Sequence, residues 1–222
     1  MRSLVLFFLL FFIPWRSELL AQQKADKSER KVSIGVATDI FKYINDTYSL
    51  EIEGKKTSSY LAHTLRIEHI NGRTNDKYFG IFSEGKDVVN GFGVGISQKW
   101  TAKKGAYGKF PYLMYGVSLR KISIKYKDVG FNSYQSDGLD YYQYGTFDDE
   151  VEIKSSLINL LTGVRLTAAD HLIFDVYIGP AYRTSNSRST YKGYREYNKD
   201  YSSFDYEGWL LQAGLKVGFK VR

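Results

Sequence analysis

From Trp209 to Val221 every odd position is apolar: Trp209, Leu211, Ala213, Leu215, Val217, Phe219 and Val221. Between them stand Gly208, Leu210, Gln212, Gly214, Lys216, Gly218 and Lys220, nearly all small or polar. A period of two over this length predicts a β-strand with one oily and one wet face. The strand is too long and too cleanly sided for an ordinary globular sheet, and it suits a tilted strand crossing a bilayer. It is also the last element of the sequence, so the expectation is that it closes the sheet.

The same alternation recurs upstream. Leu172, Phe174, Val176, Ile178 and Tyr182 share a face, against Asp175, Tyr177, Gly179, Ala181 and Arg183. Ile158, Leu160, Val164 and Leu166 oppose Asn159, Gly163, Arg165 and Thr167. Leu113, Tyr115, Val117 and Leu119 oppose Tyr112, Met114, Gly116, Ser118 and Arg120. There the phase slips, because Ile122, Ile124 and Tyr126 carry the oily row onward; a bulge near Arg120–Lys121 or an extension beyond the membrane accounts for it. Phe92, Val94, Ile96 and Trp100 oppose Gly91, Gly93, Gly95, Ser97 and Lys99. Leu61, Leu65 and Ile67 face away from Ala62, Thr64, Arg66 and Glu68, with His63 a blemish on the oily side. Tyr48, Leu50 and Ile52 oppose Ser49, Glu51 and Glu53; Val32, Ile34, Val36 and Ile40 oppose Ser33, Gly35, Ala37 and Asp39. These rows predict eight strands, an even number, as a single-chain antiparallel barrel requires.

The connections alternate in length. Gly54–Ser58, Thr101–Lys109 and Ala168–His171 are short, whereas Asn71–Val89, Val129–Glu150 and Ser185–Glu207 are long. Only the first, around Tyr43–Asn45, is short where a long one is due. Short turns at one end and long loops at the other are the habit of transmembrane barrels, with turns in the periplasm and loops outside.

Alternation does not say which face points inward, and a soluble lipocalin-like barrel would turn the oily face in. The wet face, however, is crowded with Gly35, Gly91, Gly93, Gly95, Gly116, Gly163, Gly179, Gly214 and Gly218, small residues that suit a cramped interior. It also carries both signs of charge: Asp39, Glu51, Glu53, Arg66, Glu68, Lys99, Arg120, Arg165, Asp175, Arg183, Lys216 and Lys220. Charges inside one narrow tube persist by pairing, so these twelve residues are the expected polar network of a plugged lumen. Trp100, Trp209, Phe92, Phe219, Tyr48 and Tyr182, near strand ends, suit aromatic girdles.

Composition adds the export route. Arg2, the apolar run Leu4–Ile13 and the Leu20-Ala21 edge form a secretory signal, expected to be removed as residues 1–21, leaving 22–30 as a short periplasmic segment and 31–222 as the barrel. The run is too short for a membrane-spanning helix, which needs roughly 20 residues. Removing Arg2, Arg16 and Glu18 from 31 basic and 24 acidic residues leaves 29 and 23, a net charge of +6. That excess is scattered, with no run of five Lys or Arg, so nucleic acid is not an expected partner. Zero cysteines exclude disulfides and cysteine-ligated metals.

At this point the chain resembles the small eight-stranded outer-membrane barrels, namely the membrane domain of outer-membrane protein A, outer-membrane protein X and uncharacterised relatives. The resemblance covers about residues 31–222 and rests on pattern, so it implies architecture and a cell outer-membrane location more than a function. It implies as partners outer-membrane lipid, lipopolysaccharide and the barrel-insertion machinery. That machinery reads a terminal aromatic residue in the family, whereas here Arg222 is last and Phe219 is the nearest aromatic. No periplasmic domain is expected after the last strand, and so no peptidoglycan-binding module like that of full-length outer-membrane protein A.

Catalytic signals are weak. His63, His69 and His171 are isolated, and no GxSxG, HExxH, P-loop or dinucleotide fingerprint occurs. The best enzymatic alternative is a lipid A deacylase or acyltransferase using His69 with Glu68 or a loop serine, although residues one apart point to opposite sides of a strand. No cofactor and no metal is implied. The long loops are better candidates. Val129–Glu150 holds Tyr134, Tyr141, Tyr142 and Tyr144 with five acids and no Lys or Arg. Ser185–Glu207 holds Tyr191, Tyr194, Tyr197, Tyr201 and Tyr206, so the two carry nine of nineteen tyrosines. Tyrosine suits partner contact; alternatively, Tyr-rich strands simply extend past the membrane as a protruding ribbon. The reading is a non-enzymatic envelope-structural or surface-interaction protein.

Overall fold

The computed structural model describes residues 32–44, 46–56, 59–74, 87–102, 109–168, 171–189 and 203–221. The expected signal (1–21), the segment 22–30, and Tyr191, Tyr194, Tyr197 and Tyr201 lie outside these residues. Eight strands are formed: β1 (Val32–Asp39), β2 (Thr47–Lys56), β3 (Leu61–Thr74), β4 (Asp87–Thr101), β5 (Lys109–Ser136), β6 (Leu139–Ala168), β7 (Leu172–Ser189) and β8 (Gly208–Lys220). One short helix, α1 (Ile40–Ile44), joins β1 to β2. Each strand pairs antiparallel with the next, and β8 returns to β1, closing an up-and-down barrel with no free edge around its wall.

The outward rows meet in register around the wall. Val36 lies opposite Ile52, Leu50 opposite Ile67, Leu65 opposite Ile96, and Val94 opposite Leu119. Val117 lies opposite Ile158, Val176 opposite Leu215, and Phe219 opposite Val36. Cross-strand apolar pairs of this kind stabilise a sheet locally, but here they stay exposed or half-buried on the outside of the closed wall. The inside holds Lys99, Lys216, Glu68 and Asp175, all almost wholly buried. Such a polarity is stable only with hydrocarbon outside. The chain is therefore a membrane-spanning barrel. The aromatic residues sit where the belt meets polar surroundings: Tyr48, Phe92, Tyr182 and Trp209 toward the long-loop end, Trp100 and Phe219 toward the short-turn end, all exposed. Tyr182 and Trp209 meet edge to face at 5.3 Å.

Four details refine the sequence expectation. Ile40 is not the last outward residue of β1 but the first of α1, because the Asp39 carboxylate accepts the Phe41 N–H (3.2 Å) and caps the helix. Leu61, counted with the outward row, is buried at the short-turn end, where Trp100 lies opposite it in register. Of the two accounts of the phase slip the extension beyond the membrane holds and the bulge does not: the pairing of β5 with β4 runs unbroken from Val88↔Lys125 to Thr101↔Tyr112. Ile122, Ile124 and Tyr126 stay on the lumen face, where they form a buried apolar cluster with Ile70, Val89, Val151 and Ile153, roofed by Phe204. On the outside Lys121, Lys125 and Lys127 follow Leu119. The residue types exchange faces, not the strand. Past Leu119 the wall stands in water and is built like a soluble sheet.

The fourth detail is the segment Val129–Glu150, where the protruding-ribbon alternative holds and the loop does not. β5 and β6 stay paired to Ser136↔Leu139, turning at Asp137-Gly138 with φ of 52° and 77°. Positive φ at both central residues is what a two-residue hairpin needs to match strand twist, and Asp-Gly supplies it at little steric cost.

Candidate functional site: the ionic lumen and the outer ribbon

The lumen charges fall into three groups. Toward the short-turn end, Arg165 of β6 grips both oxygens of Glu53 from β2, with Nη2 at 2.7 Å from Oε2, and also reaches Asp175 Oδ2 at 2.9 Å. Lys99 of β4 donates to Asp175 Oδ2 at 2.8 Å and lies 3.0 Å from Glu53 Oε2, with its ammonium 4.5 Å from the Tyr112 ring centre. Midway, Lys216 Nζ donates to both oxygens of Glu51, at 2.9 and 2.6 Å, and sits 5.1 Å from the Tyr177 ring. Tyr177 in turn donates its hydroxyl proton to Asp39. Toward the long-loop end, Glu68 alone among the described acids holds three cations: Arg120 Nε at 2.7 Å, Arg66 Nε at 3.1 Å and Lys42 of α1.

Two of the twelve expected lumen residues lie elsewhere. Lys220, the last residue of β8, is exposed at the rim rather than inside. Arg183 lies half-buried near the outer mouth and donates to the backbone carbonyl of Ser203 (2.8 Å), tying the return from the last loop to the wall. Lys42, conversely, is absent from the sequence expectation. It reaches the lumen only because α1 folds over the mouth, and alternation along a strand has no means of revealing that. Burial, then the adjacent Arg66 charge, pushes the Lys42 ammonium down to about 7 against the opposing pull of Glu68.

Glycine makes room for this packing. A Cβ at Gly93 would lie 3.0 Å from Arg120 Cγ and 3.1 Å from Glu68 Oε2, and one at Gly95 would lie 3.4 Å from Arg66 Nη2. Gly163 and Gly214 give way to the Tyr112 and Tyr177 rings respectively, each directly opposite in register, so tyrosine covers a position that has no side chain of its own.

The ribbon is the second feature. From Tyr126 on, β5 pairs only with β6 among the described residues, since its pairing with β4 ends at Lys125 and that of β6 with β7 ends at Val151. Eleven residues out to Ser136 span about 37 Å at ~3.4 Å each. Its base is fixed: Tyr126 and Ser189 both donate to Asp149 Oδ2, at 2.5 and 2.9 Å. Salt bridges climb its outer side, Lys125 to Glu150 (4.0 Å) and Lys127 to Asp148 (3.8 Å). Just below, Glu152 accepts from Lys121 (2.7 Å) and Lys154 (2.9 Å), and these bonds hold its carboxyl down to about 2. Beyond the base, Tyr134 stacks on Tyr141 (5.5 Å) on one face, and Phe131 meets Tyr144 edge to face (5.1 Å) on the other. Tyr142 is 72% exposed and Tyr144 62%. The five acids of this segment do not converge: Asp149 faces in, Asp148 and Glu150 face out, Asp137 is in the turn, and Asp140 is near the tip.

The histidines do not assemble with the acids. His69 lies on the outside against the Tyr48 ring (6.4 Å), on the face opposite to Glu68. His63 is also exposed on that side, and His171 lies at the short turn before β7. Among the described residues no group of three His, Asp or Glu is placed to hold a metal ion.

No family model matches the chain, and no curated protein matches it. Among solved structures it is similar to the N-terminal β-barrel domain of Pseudomonas aeruginosa OprF, with 15% identity over 85% of this chain and 96% of that one (TM-score 0.42). It is similar also to a major outer membrane protein of Thermus thermophilus, with 15% identity over 86% and 99% (TM-score 0.48). For Neisserial surface protein A the values are 14%, 86%, 93% and a TM-score of 0.40. At these similarities the architecture rests on the strand pairing and burial of the chain itself.

Proposed function

We propose that the protein sits in an outer membrane and acts there without catalysis, presenting the β5–β6 ribbon to a partner outside the cell. The carrying observation is the ribbon itself: a paired two-stranded arm, anchored at its base by Tyr126 and Asp149, with Tyr134, Tyr141, Tyr142 and Tyr144 exposed on both faces. Exposed aromatic rows on a polar backbone lattice suit contact with another protein or a glycan. An isolated hairpin is only marginally stable in water, so an arm of this length calls for a use. Outer-membrane placement follows from the polarity of the wall, since closed barrels of this kind are the alternative to helices in such membranes.

Removing residues 130–136 and 139–145 joins Val129 to Thr146 through Asp137-Gly138 and keeps the register. Cells carrying this shortened chain are expected to lose adhesion that depends on the full-length chain, while heat-dependent gel migration of the barrel stays unchanged. Full adhesion by the shortened chain would contradict the reading.

The same reading takes the lumen as closed. Eight strands leave an interior about wide enough for side chains, and the ion pairs across it occupy that space. In planar bilayers the purified barrel is expected to give no stable conductance of porin size. A sustained, ion-selective current would contradict this.

A further inference from the structure

Where the apolar belt ends on the outer wall, β4 to β7 form a groove of about 490 Å³. Phe92, Val94 and Leu119 give it an apolar floor, and Lys121 and Lys154 stand at its rim toward the ribbon. Those two lysines are directly opposite each other in the β5–β6 register. Like charges so placed repel and weaken a sheet. The charged outward pairs above them are complementary, Lys125 opposite Glu150 and Lys127 opposite Asp148, so the Lys121–Lys154 pair breaks a ladder of matched charges. Glu152 lies against both ammoniums, but one carboxylate between two lysines leaves a positive excess, and both lysines remain more than half exposed. The far wall is polar and uncharged: Thr184 and Asn186 border the groove, and the Thr184 and Ser156 hydroxyls share a hydrogen bond of 2.5 Å.

We propose that this groove seats a phosphorylated, multiply acylated lipid of the outer leaflet. An acyl chain lies along Phe92, Val94 and Leu119, and a phosphate sits between Lys121 and Lys154, sharing their ammoniums with Glu152. The depth is right for such a lipid, because lysines at the edge of an apolar belt place their charge at headgroup level. The hydroxyl and amide groups of Ser156, Thr184 and Asn186 offer donors and acceptors to the sugar or amide part of a headgroup. This inference rests on the apolar face being outward and is independent of what the ribbon binds.

The test uses the full mature chain refolded in neutral detergent, with heat-dependent migration confirming a folded barrel for every variant. Bisphosphorylated lipid A and the same lipid stripped of its phosphates are titrated in turn, and bound copies are counted by native mass spectrometry. The phosphorylated lipid is expected to bind at least about ten-fold more tightly, as two charge-assisted contacts would give. The double variant K121Q/K154Q is expected to erase that difference, and E152Q, which releases both ammoniums, to enlarge it. Equal binding of the two lipids, or a double variant that keeps the preference, would overturn the proposal. Because the barrel is verified as folded in each case, such a failure is distinct from failure of the membrane reading.

Discussion

Glu68→Gln is expected to be the most damaging single change in the lumen. Among the described residues Glu68 is the only acid gripping Lys42, Arg66 and Arg120, and it is almost wholly buried. Removing its charge leaves Arg66, Arg120 and the Lys42 amine without the carboxylate that joins them, and breaking a buried ion pair from one side costs about 3–5 kcal/mol. The midpoint temperature for loss of the compact band on gels is expected to fall steeply, or the chain to fail to refold. Adding Lys42→Met to Glu68→Gln is expected to restore part of the loss, since α1 then brings no charge to the mouth. By contrast Lys99→Met is expected to cost less, because Arg165 still bridges Glu53 and Asp175. A Glu68→Gln barrel that melts with the wild type would contradict the assignment of this cluster as a coupled unit.

Ile96→Arg carries the second large effect, on the opposite face. Ile96 lies between Phe92 and Trp100 on the outward row of β4, with Leu65 and Val117 beside it. An arginine near the bilayer midplane of a barrel costs about 2–4 kcal/mol, and far less near the interface. Refolding into vesicles followed by urea titration is expected to show that loss for Ile96→Arg. Lys121→Arg, beyond the belt, is expected to change stability little. Equal effects at the two positions would mean that Ile96 does not face hydrocarbon.

The barrel was legible because its signal is local. Seven apolar odd positions from Trp209 to Val221, and glycines at Gly91, Gly93 and Gly95 opposite Phe92, Val94 and Ile96, state both strand and face. The phase slip after Arg120 was visible too, with two accounts of it open. The same run of Ile122, Ile124 and Tyr126 fits a bulge or an apolar interior above the membrane, and only the unbroken pairing with β4 separates the two. The ribbon, open in the sequence as the alternative to a loop, had its own marker in Asp137-Gly138, a hairpin dipeptide set among tyrosines. Partners within the lumen were out of reach. Arg165 and Glu53 are 112 residues apart, and Lys216 and Glu51 are 165 apart. Which charges meet depends on strand tilt and stagger around the closed wall, and no single strand carries that information. Lys42 was hidden for a different reason: a side chain from a capping helix obeys no strand period.

The outward direction of the apolar rows is tested most directly by spin labels, because the chain has no native cysteine to remove. Single cysteines at Val94, Ile96, Val117 and Leu215, and at Ser97, Ser118 and Gln212, would carry a nitroxide in barrels refolded into phosphatidylcholine bilayers. Collisions with oxygen, which dissolves in acyl chains, are expected to be frequent at the first four sites and rare at the other three, with a water-soluble nickel complex reaching none of the first four. Oxygen maxima at Ser97, Ser118 and Gln212, with nickel reaching Val94 and Ile96, would turn the barrel inside out and contradict the account.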